Sequence, residues 1–335
     1  MAVRTIGDFT PEIYWDRLFS AMKATNQSGN PENATERVAR CELCGGTVFD
    51  PEITVREWTL LRCRACGLVF TSPRYSSDYL QNKYAHDYYE AANRYLSAQL
   101  DPPQPDELAL ARKLFQKCNR ALEQQCRYLE IGCGAGRVVE AFQRAGWDAW
   151  GYDPSLKAVE QGKLRGVKIC AGDISLAPLE YFDLIAAFHV LEHLAHPREF
   201  LAACRSRLRP GGFLLLEVPD YDCKSARAMK ESWPSLYPEI HLFQYTRTIF
   251  RRLVEEGNFQ IIRVSRVGGR GPFDEPFDTA THATKAEPRK SWRTRLYESR
   301  KLVYWIPGAR SLARYVLWHI LGFGEAVRIL ARRAD

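Results

Sequence analysis

A short apolar run, Arg127-Tyr-Leu-Glu-Ile131, passes directly into Gly132-Cys-Gly-Ala-Gly136, and then into a segment whose apolar residues Val138, Phe142 and Ala145 recur at helical spacing. A strand, a glycine turn and a helix in that order predict the first unit of a parallel α/β sheet. Gly132 and Gly134 let backbone approach a bound ligand closely, and the free N–H groups of the helix start point at the same spot. The spacing narrows the ligand. The dinucleotide pattern G-x-G-x-x-G needs glycine at position 137, but that residue is Arg137, and the third glycine falls one place early at Gly136. Glu130 stands immediately before the turn, where it would repel a pyrophosphate.

The next strand, from Asp148 to Tyr152, ends in Asp153, placed to accept hydrogen bonds from both hydroxyls of a ribose. A third, Val167-Lys-Ile-Cys170, is followed by Asp173 and Ile174, a carboxylate for an adenine amino group beside an apolar residue for its ring. Three acids at three consecutive strand ends make one site. A ligand with a cationic amino-acid end, an adenosine and no phosphate fits it, and S-adenosylmethionine answers that description. The remaining strands are expected at Phe182–Phe188, Gly212–Val218 and Phe259–Arg266, with helices from about Pro197 to Leu208 and Thr246 to Glu256.

The run Leu129-Glu-Ile-Gly-Cys-Gly-Ala-Gly136, with Tyr152-Asp153, Gly172-Asp173, Phe188-His-Val-Leu-Glu-His193 and Leu208-Arg-Pro-Gly-Gly212, resembles class I methyltransferases, the group often labelled type 11, 12 or 23, over roughly Arg127 to Arg266. The resemblance implies a Rossmann-like α/β fold, seven strands in the order 3-2-1-4-5-7-6, and the cofactor over the carboxyl ends of the central strands. It also implies that Cys133, Pro154, Phe188 and His189 line the cofactor together with Glu130, Gly132, Gly134, Gly136, Asp153, Asp173 and Ile174. In similar sugar O-methyltransferases the histidine corresponding to His193 is the proposed base, although such a histidine also serves merely to fix a loop. Tyr237-Pro-Glu-Ile-His241-Leu-Phe-Gln-Tyr245 is similar to a stretch of deoxysugar C-methyltransferases, which share an N-terminal zinc domain and the Glu217-Val-Pro219 turn. That likeness adds Glu239 and His241 as catalytic candidates. Pro238 and the extra Ile240 depart from the pattern, so a sugar, glycan or secondary-metabolite precursor is expected, methylated on oxygen or carbon.

Cys41-Glu-Leu-Cys44 and Cys63-Arg-Ala-Cys66 are two C-x2-C knuckles eighteen residues apart, the spacing that brings four thiolates into a tetrahedron around Zn²⁺. Four cysteine ligands leave no open position, so the ion is expected to be structural; the bland alternative is four free thiols. The other six of the ten cysteines are scattered, and no charged-then-apolar leader opens the chain, so a reducing, cytoplasmic setting is expected. A tyrosine-rich helical stretch follows the knuckles (Tyr75, Tyr79, Tyr84, Tyr88, Tyr89, Tyr95), read either as half-buried helix or as a lid over donor and acceptor.

The resulting plan is a helical segment over 1–38, a zinc ribbon over 39–73, a helical linker or lid over 74–126, the methyltransferase domain over 127–270, and a loop with basic amphipathic helices over 271–335. From Arg289 to Asp335 there are eleven Lys and Arg against three acids, so the formal charge of +7 belongs to the tail and the rest of the chain is near neutral. That argues against a wide nucleic-acid-gripping face, the setting for the alternative of an RNA or protein methyltransferase that recognises its target through the ribbon. Tail residues such as Trp292, Trp305 and Trp318 alternate with arginines without reaching a spanning length, as in helices that lie on a membrane surface or pack on the domain or on a homodimer mate. On a membrane, a lipid-linked saccharide becomes a natural acceptor.

Overall fold

The computed structural model describes residues 35–86, 100–119, 125–233, 235–267 and 324–334. The expectations for 1–34, for Tyr88, Tyr89 and Tyr95, and for 271–323 lie outside them. The principal elements in chain order are β1 (Phe49–Val55), β2 (Trp58–Cys63), β3 (Val69–Thr71), α1 (Ser77–His86), α2 (Pro105–Asn119), β4 (Arg127–Ile131), α3 (Arg137–Arg144), β5 (Asp148–Asp153), α4 (Leu156–Leu164), β6 (Ile169–Ala171), β7 (Phe182–Phe188), α5 (Pro197–Arg207), β8 (Leu208–Pro219), α6 (Lys224–Met229), β9 (Phe243–Gln244), α7 (Arg247–Glu256), β10 (Phe259–Val267) and β11 (Ala326–Arg333).

Seven strands form one sheet in the order β10-β11-β8-β7-β4-β5-β6. Counted along the sheet's own strands from β4, this is the expected 3-2-1-4-5-7-6. The five strands from β8 to β6 pair in parallel, and β11 runs antiparallel between β8 and β10. A parallel sheet covered on both faces needs apolar strands, and all seven residues of the central β7 are buried. The Tyr128 ring of β4 stacks on Phe142 of α3 at a centroid distance of 3.6 Å, with Trp147 against both. Side chains cap the helix starts: Thr246 Oγ1 accepts from Ile249 N at the start of α7, and Glu107 reaches back to Gln104 N ahead of α2.

The chain's end departs from the expected tail. Ala326–Arg333 is a strand, where basic amphipathic helices were the expectation. Val327, Ile329 and Ala331 are buried at every second position, a period of two that no helix shares, and Arg328, Arg332 and Arg333 obscured it. Those arginines meet acids and carbonyls: Arg328 Nε donates to Glu217 Oε2 at 2.6 Å, Arg333 Nη2 to Glu180 Oε1 at 3.0 Å, and Arg332 Nε to the Gly211 carbonyl at 3.1 Å. Burial opposes ionisation of Glu217, but the charges of Arg328 and His189 outweigh it and hold the carboxyl at about 2. Arg328→Ala is therefore expected to leave a buried charge short of its partner and to lower unfolding stability by about 3 kcal/mol, measured by urea denaturation. Among the described residues, no helix is long and apolar enough to cross a membrane.

The cysteine knuckles lie at the edge of a second sheet, ordered β9-β3-β2-β1. Its fourth strand comes from elsewhere in the chain: Phe243 and Gln244 of β9, between α6 and α7, pair antiparallel with Phe70 and Val69. Leu60 and Val69 of this sheet pack with Cys223, Ala226, Trp233 and Leu236, which follow β8. Arg198 of α5 donates through Nε to the Glu42 carbonyl at 2.9 Å and through Nη2 to the Leu43 carbonyl within the first knuckle. The cysteine segment and the large sheet thus belong to one compact unit.

Candidate active site

The carboxyl ends of β4, β5 and β6 lie side by side, with Ile131 opposite Tyr152 and Asp153 opposite Ala171. This register sets the glycine turn and Asp153 at neighbouring strand ends, with Asp173 two residues beyond Ala171. Gly132, Gly134 and Gly136 adopt φ of +69°, +55° and +78°, the left-handed region that side chains resist. At Gly132 a Cβ would stand 2.5 Å from Val190 Cγ2, so the turn and the end of β7 interlock. Gly132→Ala is expected to cost about 1–3 kcal/mol through strain and this clash, read as a lower melting temperature.

Asp153 is held by two backbone amides. Gly134 N donates to its Oδ2 at 2.7 Å and Ser155 N to its Oδ1 at 2.9 Å, so the carboxylate pins the turn. Burial raises its pKa to about 6, although both amide donors favour the charged form. Ser155 N holding Oδ1 places Pro154 in the bend that leads into α4. Glu130 is more deeply enclosed, with Tyr128 Oη donating to Oε2 at 3.4 Å; burial, with Glu107 nearby, drives its pKa well above the usual range. Cys133 is buried beneath Gly151 of β5. Asp173 caps a short turn of 3₁₀-helix through Ser175 N at 2.6 Å, exposed beside the buried Ile174.

Beyond β7 stands a cluster of histidines. His189 adopts a left-handed φ of +55°, rare for a residue with a side chain. Its Nδ1 lies 3.3 Å from Glu192 Oε1 and its Nε2 3.3 Å from Glu217 Oε1. Burial disfavours the imidazolium, but the two carboxylates prevail and raise its pKa to about 10. His189 is thus a cation clamped between acids. Phe188, named with it for the cofactor, is buried in the core, with Arg328 over its ring at 5.6 Å.

His193 and His241 face each other with ring centroids 4.6 Å apart. Nδ1 of His193 lies 3.0 Å from the Ile240 carbonyl and 2.7 Å from Tyr84 Oη, and Nδ1 of His241 lies 2.8 Å from the Ser235 carbonyl. A carbonyl can only accept, so each Nδ1 carries the proton and each Nε2 keeps its lone pair. Burial lowers the pKa of both, His241 to about 3, and both rings are neutral at physiological pH. Glu192 beside them is buried and stays ionised: burial opposes its charge, and the hydrogen bond and positive charge of His189 overcome it. Glu239 is turned away from this pair and meets Arg56 Nη1 at 3.0 Å. The tyrosine-rich helix divides: Tyr84 reaches His193, whereas Tyr75 packs between Trp58 and Tyr79. Sequence reasoning missed Glu192 and Glu217 as members of the cluster and named Tyr84 only within the tyrosine-rich stretch; the spacing His189-Val-Leu-Glu-His193 was the available signal for the first.

The four knuckle cysteines also converge. Their sulfurs lie within 4.8 Å of one another, with Cys41 to Cys66 at 3.5 Å and Cys44 to Cys63 at 3.6 Å. Gly45 and Gly67 follow each knuckle at φ of +73° and +81°, turning the chain back so that Gly45 N donates to Cys41 O and Gly67 N to Cys63 O. Four soft donors so close together fit one tetrahedral zinc ion.

Residues 85–264, more than half the chain, match the methyltransferase domain family. The chain belongs to that family. Curated relatives include proteins named ubiquinone biosynthesis O-methyltransferase, from a Bradyrhizobium strain at 35% identity over 106 residues and from Nitrobacter winogradskyi at 36%. The matched stretch is 30% of this chain in both cases, and 42% and 41% of the respective relatives, so the methyltransferase domain shares under half the length of these proteins. Among solved structures, phosphoethanolamine N-methyltransferase 2 of Haemonchus contortus, in complex with S-adenosyl-L-methionine, superposes with a TM-score of 0.51 at 13% identity, covering 80% of this chain and 63% of that one. The shared feature is the fold of S-adenosylmethionine-dependent methyltransferases.

Proposed function

We propose that this protein transfers a methyl group from S-adenosylmethionine to a hydroxyl of a small polar acceptor, a sugar or a glycan or secondary-metabolite precursor, free or lipid-linked, and that its four cysteines hold a structural zinc ion. The observation that carries the reading is the placement of two neutral histidines and an ionised carboxylate beyond β7, next to the strand ends that carry Asp153 and the glycine turn. S-adenosylmethionine, when bound, supplies an electrophilic methyl on a sulfonium. Asp153 accepts from the ribose hydroxyls, Asp173 and Ile174 take the adenine edge and face, and the glycine turn lets backbone N–H groups approach. The acceptor hydroxyl is held and deprotonated at the cluster of Glu192, His193 and His241, because an oxygen attacks a methyl carbon in line only when it has a lone pair to give. Tyr84 orients His193 from the far side. Oxygen as the methylated atom agrees with the names of the curated relatives.

The test is transfer of an isotope-labelled methyl group from S-adenosylmethionine to a panel of nucleotide-linked sugars, lipid-linked saccharides, catechols and RNA, read by mass spectrometry. Label on the oxygen of a small acceptor is expected, and lost in His193→Gln. Label on RNA, or on carbon, would overturn the reading.

A further inference from the structure

We infer that Glu192, His193 and His241 form a second metal site, distinct from the cysteines, that takes a divalent cation through one carboxylate oxygen and two imidazole nitrogens. One oxygen of Glu192 and one ring nitrogen from each histidine lie within 4.8 Å of one another. The histidines carry the arrangement seen in metal-ligating histidines generally: the far nitrogen of each ring is tied to a carbonyl, Ile240 for His193 and Ser235 for His241. That tie fixes ring orientation and tautomer and leaves Nε2 as the ligand atom.

Glu192 supplies the independent sign. It is 1% exposed, and neither carboxylate oxygen accepts a well-formed hydrogen bond. His189 Nδ1, at 3.3 Å from Oε1, shields one side of the charge. Buried carboxylate oxygens ordinarily have donors, and the two neighbours on the other side offer lone pairs instead. Three acceptors facing one another in a buried space repel unless a cation lies between them. Two imidazoles and a carboxylate suit the later first-row divalent ions, whereas the four thiolates claim a softer site.

This inference rests on the proposed O-methyltransfer and gives the cluster its means. The cation binds the acceptor oxygen and lowers its pKa, and the hydroxyl proton passes to solvent water. The oxygen then forms the new C–O bond as the C–S bond breaks, and S-adenosylhomocysteine leaves with the sulfur's electron pair restored.

The experiment is a Co²⁺ titration of the purified full chain with its zinc in place, followed by visible absorption and by zinc content. The expected result is one equivalent of Co²⁺ bound without loss of zinc, with weak ligand-field bands and none of the intense thiolate-to-cobalt absorption. Glu192→Gln and His193→Gln are each expected to weaken Co²⁺ binding by more than about tenfold while leaving S-adenosylhomocysteine affinity in place, which also shows that the variants fold. Cobalt entering only by displacing zinc, or binding Glu192→Gln as tightly as the unaltered chain, would overturn the site. Failure of S-adenosylhomocysteine to bind the unaltered chain would instead overturn the methyltransferase reading.

Discussion

Asp153→Ala is expected to bind S-adenosylhomocysteine at least about 100-fold more weakly than the unaltered protein in calorimetry. Each hydrogen bond to a charged group is worth about 1.5–3 kcal/mol, and Asp153 stands to accept two from the ribose while also holding Gly134 N and Ser155 N. Truncation removes all of these and frees the turn. Asp153→Asn keeps the shape but replaces one acceptor oxygen by a donor, so an intermediate loss is expected. The same carboxyl sets a pH dependence. Its pKa in the folded protein is raised to about 6, so it is ionised and ready to accept above that value and protonated below it. Cofactor affinity should therefore be flat from neutral pH down to about 6 and then fall by about tenfold per pH unit. For folding the sign is opposite: this raised pKa stabilises the native state at acid pH, and the contribution disappears as pH rises through about 6. Affinity unchanged between pH 7 and pH 5 would contradict this account.

The second large effect is at the cysteines. Cys63→Ser is expected to abolish stoichiometric zinc and to lower the melting temperature by roughly 10 °C, as follows from losing on the order of 4 kcal/mol from a site that contributes ~10–16 kcal/mol in isolated fingers. The damage should reach the histidines. β3, which follows the second knuckle, pairs with β9, and His241 lies two residues ahead of β9, with its carbonyl accepting from Gln244 Nε2 at 3.1 Å. Turnover should accordingly fall in Cys63→Ser while S-adenosylhomocysteine affinity changes by less than about threefold, because Asp153 and the glycine turn lie on other strands. Metal analysis, thermal melting and calorimetry on one preparation decide it; full zinc content in the variant would refute the four-cysteine site.

The residues proposed for the methyl donor could be grouped from the sequence because their placement is local. A glycine turn, an acid at a strand end and a helix start are neighbours in sequence, and the parallel register then aligns three such ends without further instruction. The four cysteines were legible for the same reason, since each knuckle is a complete turn. The half proposed for the acceptor is assembled from three places far apart along the chain, Tyr84, the adjacent pair Glu192 and His193, and His241, which meet only through tertiary packing. Nothing local marks β9, a two-residue strand whose partner lies about 170 residues earlier. β11 was hidden differently: its arginines suggested a solvated or membrane-facing helix, yet Arg328 serves to neutralise the buried Glu217. His189 belongs with it, placed by sequence at the cofactor and found holding Glu192 and Glu217 together.

The strand that β9 lends to the cysteine sheet has a practical corollary for anyone trimming the protein. A fragment begun at Pro105, the first residue of α2, would retain every residue assigned to the methyl donor and the helix packed against it. It would discard Tyr84 and the edge on which Phe243 and Gln244 are paired, and Trp233 and Leu236 would lose their cover and face water. Such a truncation should load cofactor normally, remain idle towards acceptors, and clump on storage through the newly bared apolar surface.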